Sequence, residues 1–227
     1  MAEPIPIIGG TGALGYGLAV RWAQAGQSLV IGSREAGRAA EAAERLRGDV
    51  DGAKVEGLQN AEAAARGPIV FLTVPFRAQS ETLTNLKDAL AEGQLLVDCT
   101  VPTAAAVSGK AARTLGVWQG SAAQQAEEMV PDGVTVISAL HTVSAKRMAS
   151  KDPLDEDVLI CGDRKADKAR VARLIELIEG LRTVNAGALE MARIVETLTP
   201  LLISINVRYK TAAGIRITDL PDGDPWA

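Results

Sequence analysis

The chain has 227 residues, of which 47% are hydrophobic and only 3% aromatic, and its formal net charge is −4. This length fits one large domain or a domain with a small annex, and the aliphatic residues are numerous enough to bury a core. The acidic balance and the lack of a Lys/Arg block argue against a nucleic-acid partner. No uninterrupted run of 18 apolar residues occurs, so no membrane span is expected.

Cysteine and histidine are sparse in this sequence. Cys99 and Cys161 lie far apart, and we expect both to be buried, reduced thiols of a cytoplasmic protein. His141 is the only histidine, and together with two scattered cysteines it does not form a metal-binding pattern, so no metal site is predicted. The N-terminus lacks the basic region and the apolar core of a signal peptide.

Strands and helices alternate through the first half of the chain. After an apolar run that starts at Ile5, the predicted strands are Ser28–Ile31, Lys54–Leu58, Ile69–Val74 and Gln94–Asp98, and the predicted helices are Glu35–Arg47, Ala61–Arg66 and Phe76–Leu90. Alternation of this kind produces right-handed crossovers and a parallel sheet covered on both faces. The pattern therefore predicts an α/β fold with a Rossmann-type, doubly wound parallel sheet.

The second half is less regular and ends in a small helical part. Ala122–Met129 is predicted as a helix and Val134–Ser138 as a strand, and short apolar runs at 158–160 and 183–184 could extend the sheet. From Leu189 onward a long helix is predicted, because apolar residues recur at helical spacing. That stripe could close a substrate cleft or form a dimer interface, and we favour both; it comprises Met191, Ile194, Val195, Leu198, Leu202, Ile205 and Tyr209.

A glycine-rich turn stands between the first strand and the first helix. The apolar run from Ile5 leads into Gly10-x-Gly12-x-x-Gly15, and a helical pattern begins at once. In such a turn Gly10 permits the sharp bend, Gly12 lets a pyrophosphate approach the backbone, and Gly15 lets the helix pack on the strand. The helix N-terminus adds free N–H groups and a partial positive charge. This context favours a dinucleotide site over a turn that merely needs glycine.

The residues after the second strand indicate which coenzyme binds. An NAD site would place an acid there to bind the ribose 2′-OH. This chain instead has Ser33 and Arg34, with Glu35 just after and Arg38 one helical turn further on. A hydroxyl and two guanidinium groups suit a 2′-phosphate, so NADP is favoured over the alternative that both arginines are ordinary surface charges.

His141 is the clearest candidate on the substrate side. It follows the strand that ends at Ser138, and open parallel sheets bind ligands at the carboxyl edge of their strands. A lone histidine is equally consistent with a structural role, so both interpretations stay open. The sequence contains no G-x-S-x-G elbow and no Walker-type phosphate loop. Nicotinamide chemistry needs neither of them, because the coenzyme carries the hydride.

Six motifs occur in the same order as in a known enzyme family. They are the G-G-T-G-A-L-G turn, the G-S-R after the second strand, Thr73-Val74-Pro75, S-A-L-H-T-V-S-A at 138–145, Cys161-Gly162-Asp163 and E-T-L-T-P-L at 196–201. Together they resemble the NADPH-dependent F420 reductases, also called F420:NADP oxidoreductases. The similarity covers nearly the whole chain, and S-A-L-H-T with the later L-T-P-L is its most specific part.

The resemblance implies a homodimer with a Rossmann NADP-binding domain at 1–150 and a smaller C-terminal portion at 151–227 that completes the acceptor cleft and the dimer interface. Hydride would pass directly between nicotinamide C4 and C5 of the deazaflavin coenzyme F420. The matching coenzyme-binding positions are Gly10, Thr11, Gly12, Ala13, Leu14, Gly15, Ser33, Arg34, Arg38, Thr73, Val74, Pro75 and Ala145. The matching acceptor-binding positions are His141, which is also the candidate catalytic residue, Thr197, Thr199, Gly214 and Ile215.

Three functions remain open at this point. The first is an F420:NADP oxidoreductase. The second is an NADPH-dependent reductase of the same fold that acts on another small acceptor, such as an imine, a carbonyl or a flavin-like ring. The third is a regulator that senses NADP without turnover, which would need a partner surface but no organised acceptor cleft.

Overall fold

The computed structural model describes residues 3–150, 152–221 and 223–226. Residues 1, 151 and 227, which bound the two predicted domains 1–150 and 151–227, lie outside the described residues. The strands are Ile5–Ile8 (β1), Ser28–Ser33 (β2), Lys54–Gln59 (β3), Ile69–Leu72 (β4), Leu95–Asp98 (β5), Thr135–Ser138 (β6), Glu156–Cys161 (β7) and Leu181–Gly187 (β8). The helices are Ala13–Gln24 (α1), Ala36–Asp49 (α2), Asn60–Ala64 (α3), Gln79–Leu86 (α4), Ala122–Met129 (α5), Ala145–Met148 (α6), Lys165–Ile175 (α7) and Ala192–Tyr209 (α8).

All of these strands belong to one sheet in the order β3-β2-β1-β4-β5-β6-β7-β8. Strands β1 to β6 are parallel to one another. From β1 the chain first adds β2 and β3 on one side and then β4, β5 and β6 on the other, which confirms the predicted Rossmann-type sheet. The runs at 158–160 and 183–184 extend the sheet as expected. However, β7 joins β6 antiparallel, through the single pair Ser138–Cys161, and then pairs parallel with β8.

One predicted helix is shorter than the sequence pattern indicates. The segment predicted as a helix at Phe76–Leu90 begins with a 3₁₀ turn at Phe76–Ala78, and α4 ends at Leu86. Beyond Leu86 the chain continues as turns, in which the Leu86 carbonyl accepts from the N–H groups of both Ala89 and Leu90. Among the helices of the described residues, none is both long and apolar enough to cross a membrane.

Two apolar layers cover the sheet. On one face Trp22 of α1 packs against Phe71 of β4, with ring centroids 4.6 Å apart and planes tilted by 56°. The Trp22 indole N–H donates to the Leu174 carbonyl, which ties α1 to α7. On the other face Leu83 and Leu86 of α4 are completely buried. The carboxyl ends of the central strands are therefore held by packing from both sides.

Helix α1 approaches the ends of β1 and β4 as closely as a glycine allows. A Cβ on Gly15 would lie 2.5 Å from Thr73 Oγ1 and 2.7 Å from the Gly10 Cα. The Thr73 hydroxyl donates to the Ile8 carbonyl at 2.9 Å, and the Thr73 N–H donates to the same oxygen. Thr73 thus fastens β4 to β1 at the point where the helix begins.

The segment after α8 returns along β7. Asp157 donates its N–H to the Ile215 carbonyl, and its carboxylate accepts from the Ile217 N–H and from the guanidinium groups of Arg182 and Arg216. Near the end of the chain Trp226 is buried and donates to Thr183 Oγ1. Trp226 therefore packs against the sheet, whereas Asp219–Pro221 and residues 223–225 are exposed.

We predict that Gly15→Ala destabilises the fold by about 1–3 kcal/mol, because the added methyl group meets Thr73 Oγ1 and the Gly10 backbone. Gly48→Ala is the matched control, since Gly48 also lies in a helix but a Cβ there meets no atom within 4 Å. It should stabilise by up to roughly 0.5–1 kcal/mol. Urea unfolding of the three proteins measures both effects. Equal stability of parent and Gly15→Ala would show that α1 does not need this close approach.

We predict that Asp157→Asn lowers the free energy of unfolding by about 1–3 kcal/mol at neutral pH. Burial would raise the pKa of Asp157, but hydrogen bonds and charges from Arg182, Arg216 and the Ile217 N–H outweigh it and lower the pKa. The contribution is therefore present above the ordinary carboxyl pKa of about 4 and is lost as the pH falls through the folded-state value.

Urea unfolding of parent and variant at several pH values tests the Asp157 prediction. The stability difference should shrink below about pH 4. The exposed Asp132→Asn serves as the control for the loss of one charge. A difference between parent and Asp157→Asn that stays constant into strong acid would mean that ionisation of Asp157 does not stabilise the fold.

Candidate functional site

The carboxyl ends of β1, β2, β4 and β5 open into two cavities of about 330 and 570 Å³. The cavities share five lining residues, so they form one continuous groove, which we call the edge cleft: Gly12, Thr73, Val74, Pro75 and Arg77. The smaller cavity extends toward β2 and α2. The larger one extends toward β5 and the start of α6 at Ala145. This edge is where open parallel sheets bind their ligands.

The glycine turn shapes the middle of the edge cleft. Gly9, which was not among the predicted residues, carries the left-handed backbone of the turn with φ of 74°, and a Cβ on it would lie 2.6 Å from Val74 Cγ1. Gly10 is constrained differently, because a Cβ there would lie 2.8 Å from the Ile7 carbonyl oxygen. The sharp bend that the sequence assigned to Gly10 therefore depends on Gly9, which the spacing pattern alone does not single out.

The N-terminus of α1 faces the edge cleft without a side-chain cap. Gly12 is the N-cap residue, and the first turn contains no acidic residue. Thr11 and Gly12 line the smaller cavity, while Ala13 and Leu14 line the larger one. The unpaired N–H groups and the positive end of the helix dipole suit an anion at the junction of the two cavities.

A cluster of arginines lines the smaller cavity. Arg34 and Arg38, predicted from their position after β2, lie there together with Ser33. Arg77 lines the same cavity and reaches the larger one, although it lies far away in the sequence on the turn after β4. The N-terminus of α2 has no side-chain cap and no acid in its first turn. Three guanidinium groups and the uncapped N-terminus of α2 thus converge on a cavity that Glu81 also lines, and such donors suit a phosphate.

The side chain of Asn60 contacts the glycine turn after β1, and the sequence pattern did not identify this residue. It is buried at the start of α3, and its Oδ1 accepts a long hydrogen bond of 3.5 Å from the Gly9 N–H. A Cβ on Gly32 would lie 2.9 Å from the same oxygen. Asn60 therefore fits against β2 only because residue 32 has no side chain.

The larger cavity is lined by Val74, Pro75 and Ala145, which were predicted to bind the coenzyme, and also by Cys99 and Thr100. Cys99 and Cys161 are both free and buried, which confirms that part of the expectation. Burial raises the pKa of the Cys99 thiol well above its usual value, so this thiol stays protonated.

His141 points into the interior, beside two buried acids. Its ring, the Asp98 carboxylate and the Glu196 carboxylate each offer a ligand atom, and these atoms lie within 4.8 Å of one another. Burial lowers the pKa of His141 to about 4, although the Thr100 backbone opposes this, and it raises the pKa of Asp98 to about 7 and that of Glu196 to about 8. Leu140, directly before His141, has a left-handed backbone with φ of 70°, an unfavourable conformation that marks a constrained position.

The predicted acceptor residues are only partly brought together. The Thr199 hydroxyl donates to the His141 carbonyl at 2.7 Å, so α8 touches the segment after β6. Thr197 is exposed, and its hydroxyl donates to the Ile194 carbonyl of its own helix. Gly214 lies against the Glu156 side chain and Ile215 pairs with Asp157, at the start of β7. No hydrogen bond within the described residues joins Thr197 or this turn to His141.

Comparison with known proteins places the chain in a family. Residues 4–102 match the family model for "NADP oxidoreductase coenzyme F420-dependent". F420-dependent NADP reductase of Methanothermobacter thermautotrophicus is 41% identical over 98% of this chain and 97% of its own length. Its counterpart from Methanothermobacter marburgensis is also 41% identical, over 96% of this chain and 99% of its own.

A solved structure has the same architecture. It is described as a candidate F420-dependent NADP reductase from Arthrobacter sp. FB24, and it superposes with a TM-score of 0.78 at 24% identity over 93% of this chain and 96% of its own. At this identity the likeness shows the fold alone, and the full-length similarity to the curated relatives shows the family. This chain therefore belongs to the family of F420-dependent NADP reductases.

Proposed function

We propose that this protein transfers hydride between NADP(H) and the deazaflavin coenzyme F420. One observation carries the proposal: a chain similar over its full length to F420-dependent NADP reductases has an edge cleft with an arginine cluster at one end and an uncapped helix N-terminus in the middle. These features match the phosphates of NADP, and the larger cavity leaves room for the nicotinamide and a second ring. The coenzyme supplies the hydride, and the protein supplies position and electrostatics.

The two cavities suggest how NADP(H) lies along the edge. The 2′-phosphate would bind in the smaller cavity, against Ser33, Arg34 and Arg38. The pyrophosphate would bind at the turn and the first residues of α1, including Gly10, Thr11, Gly12, Ala13, Leu14 and Gly15. The nicotinamide would lie in the larger cavity, against Thr73, Val74 and Pro75, with its carboxamide at the Ala145 backbone. Arg77 lines both cavities, so we add it as a contact to the pyrophosphate.

The acceptor would bind on the side formed by α8 and the last strands. His141, Thr197, Thr199, Gly214 and Ile215 remain the proposed acceptor-binding positions. Because the pKa of His141 is about 4, its ring is neutral at physiological pH and is a poor proton donor. We therefore propose that His141 helps to position the acceptor through its backbone, because its ring points into the interior and its carbonyl is held by the Thr199 hydroxyl at 2.7 Å.

A second copy of the chain is the proposed protein partner, in the cytoplasm. Part of the apolar stripe of α8 is buried and part is exposed to solvent: Val195 and Leu202 are buried, whereas Ile194 and Tyr209 are exposed. The buried residues support the cleft-closing role, and the exposed ones support a homodimer interface. In this proposal residues 1–150 bind NADP(H), and residues 151–227 complete the acceptor cleft and the interface.

The direct test is to mix purified protein with NADPH and F420 and to follow the visible absorbance of oxidised F420. We expect its loss to depend on both coenzymes and to match NADPH oxidation mole for mole. NADPH oxidation with an imine, a carbonyl or a flavin, but not with F420, would contradict the proposal and support a related reductase. Tight NADPH binding without turnover of any of these acceptors would support a regulator.

We predict that Arg34→Ala weakens NADPH binding by at least about tenfold and barely changes NADH binding, because a hydrogen bond to a charged group contributes roughly 1.5–3 kcal/mol. Arg34→Ala/Arg38→Ala should remove most of the preference for NADPH. Arg77→Ala is the contrasting variant: a pyrophosphate contact is common to both coenzymes, so their affinities should fall together. Calorimetric titration of each protein with NADPH and NADH measures these effects.

The assignment of the 2′-phosphate also predicts a salt effect. Raising the ionic strength should weaken NADPH binding more than NADH binding in the parent protein, because the added phosphate charge is screened at an open site. Equal losses of both coenzymes in Arg34→Ala/Arg38→Ala would show that these arginines bind the shared phosphates or support the fold. The residues after β2 would then no longer support the assignment of NADP rather than NAD as the coenzyme.

A further inference from the structure

A compact set of ligand-type side chains lies directly behind the larger cavity. Asp98 ends β5, His141 follows β6, and Glu196 lies in the second turn of α8, yet their oxygen and nitrogen atoms come within 4.8 Å of one another. All three side chains are buried, with relative exposures of 0%, 5% and 2%. The sequence could not indicate this set, because three distant segments contribute one residue each.

The cluster holds two acids but lacks a cation. Within the described residues, neither Asp98 nor Glu196 forms a salt bridge with Lys or Arg. Asp98 accepts from the Gln79 amide and the Thr100 hydroxyl. Glu196 accepts from the backbone N–H groups of Ala122 and Ala123 at the start of α5. Such bonds favour the ionised carboxylates, but the two buried acids cannot both be charged at this separation without a counter-ion.

The histidine ring faces the same space with both nitrogens unsatisfied. Neither Nδ1 nor Nε2 of His141 has a hydrogen-bond partner of normal length and angle within the described residues, although the Thr100 backbone lies close enough to favour the charged ring, and the buried hydroxyl of Ser138 also has no partner. Ser138 is the register partner of Asp98 on the neighbouring strand, so the two side chains project to the same face of the sheet. Buried polar groups left without partners usually indicate an ordered water or an ion between them.

We propose that Asp98, His141 and Glu196 bind a divalent transition-metal ion, for which Zn²⁺ is the best match. Two carboxylate oxygens and one imidazole nitrogen are common zinc ligands. Two negative charges and a neutral imidazole balance a divalent cation, which removes the cost of the buried acids. A three-residue set leaves a fourth position, for which the Ser138 hydroxyl or a water is available. Among the biologically common divalent ions, nitrogen-containing sites bind zinc more tightly than manganese or iron.

The ion would act as a structural link. It would join the end of β5, the segment after β6 and α8, next to Cys99 and Thr100, which line the larger cavity. The buried Cys161 thiol lies close enough to Glu196 to interact with it, but burial raises the pKa of this thiol to about 12, so it stays protonated and is not a ligand in this proposal. The inference does not depend on which acceptor the enzyme uses.

The first experiment uses the parent protein without substitutions. After removal of metals with a chelator and exchange into metal-free buffer, the protein is titrated with Zn²⁺ in a calorimeter, and its metal content is measured after gel filtration. We expect one zinc per chain and a higher melting temperature with zinc than with chelator. Co²⁺ in place of Zn²⁺ should give visible bands of a nitrogen and oxygen site without the intense absorption of a thiolate ligand. Failure to bind zinc would overturn the proposal and leave a water in the space.

The second experiment locates the ion. Asp98→Asn and Glu196→Gln keep the shape of each side chain and remove its charge, and each should weaken zinc binding by at least about tenfold. Cys161→Ser is the matched control, because it changes a buried neighbouring thiol and should leave the zinc affinity unchanged. Undiminished zinc binding in both acid variants, or its loss in Cys161→Ser alone, would place the ion elsewhere and overturn the proposal. Zinc content is read without coenzyme, so the result is independent of the F420 assay.

Discussion

The close contact between α1 and the ends of β1 and β4 is the constraint on which the site depends. Gly15 lets the helix approach until the position of a Cβ would fall 2.5 Å from Thr73 Oγ1, and Thr73 in turn bonds to the Ile8 carbonyl. This contact aims the uncapped N-terminus of α1 at the middle of the edge cleft. A bulkier residue at position 15 would move the helix, and with it the donors proposed to bind the pyrophosphate.

The exposed edge cleft and the buried cluster next to it depend on different physical effects. On the coenzyme side, exposed arginines and free helix N–H groups face solvent, so a bound phosphate would gain charge-assisted hydrogen bonds at little desolvation cost. In the interior beside Cys99 and Thr100, Asp98, His141 and Glu196 are buried, and their electrostatic energy depends strongly on what lies between them. The bonds from Glu196 to the start of α5 tie α8 into this interior. The position of α8 is therefore coupled to the state of the buried cluster.

The features that the sequence predicted best are those formed by residues close together along the chain. The alternation of strands and helices predicted the parallel sheet, and Ala122–Met129 was predicted with the bounds that the structure shows. The spacing of Ser33, Arg34 and Arg38 after β2 placed all three in one cavity. The helix predicted at Phe76–Leu90 was too long, because apolar spacing does not distinguish an α-helix from the tighter turns at its ends.

By itself the sequence determined the fold class, the glycine turn and the grouping of Ser33, Arg34 and Arg38 after β2, because short-range periodicity and contiguous motifs specify them. Only the tertiary structure decided which distant side chains meet. Arg77 joins the other arginines because the turn after β4 passes beside them, and Asn60 reaches Gly9 because α3 packs under the glycine turn. Asp98, His141 and Glu196 converge because β5, β6 and α8 end at or cross the same edge. Such contacts follow from the crossing of packed elements, which no local pattern in the chain encodes.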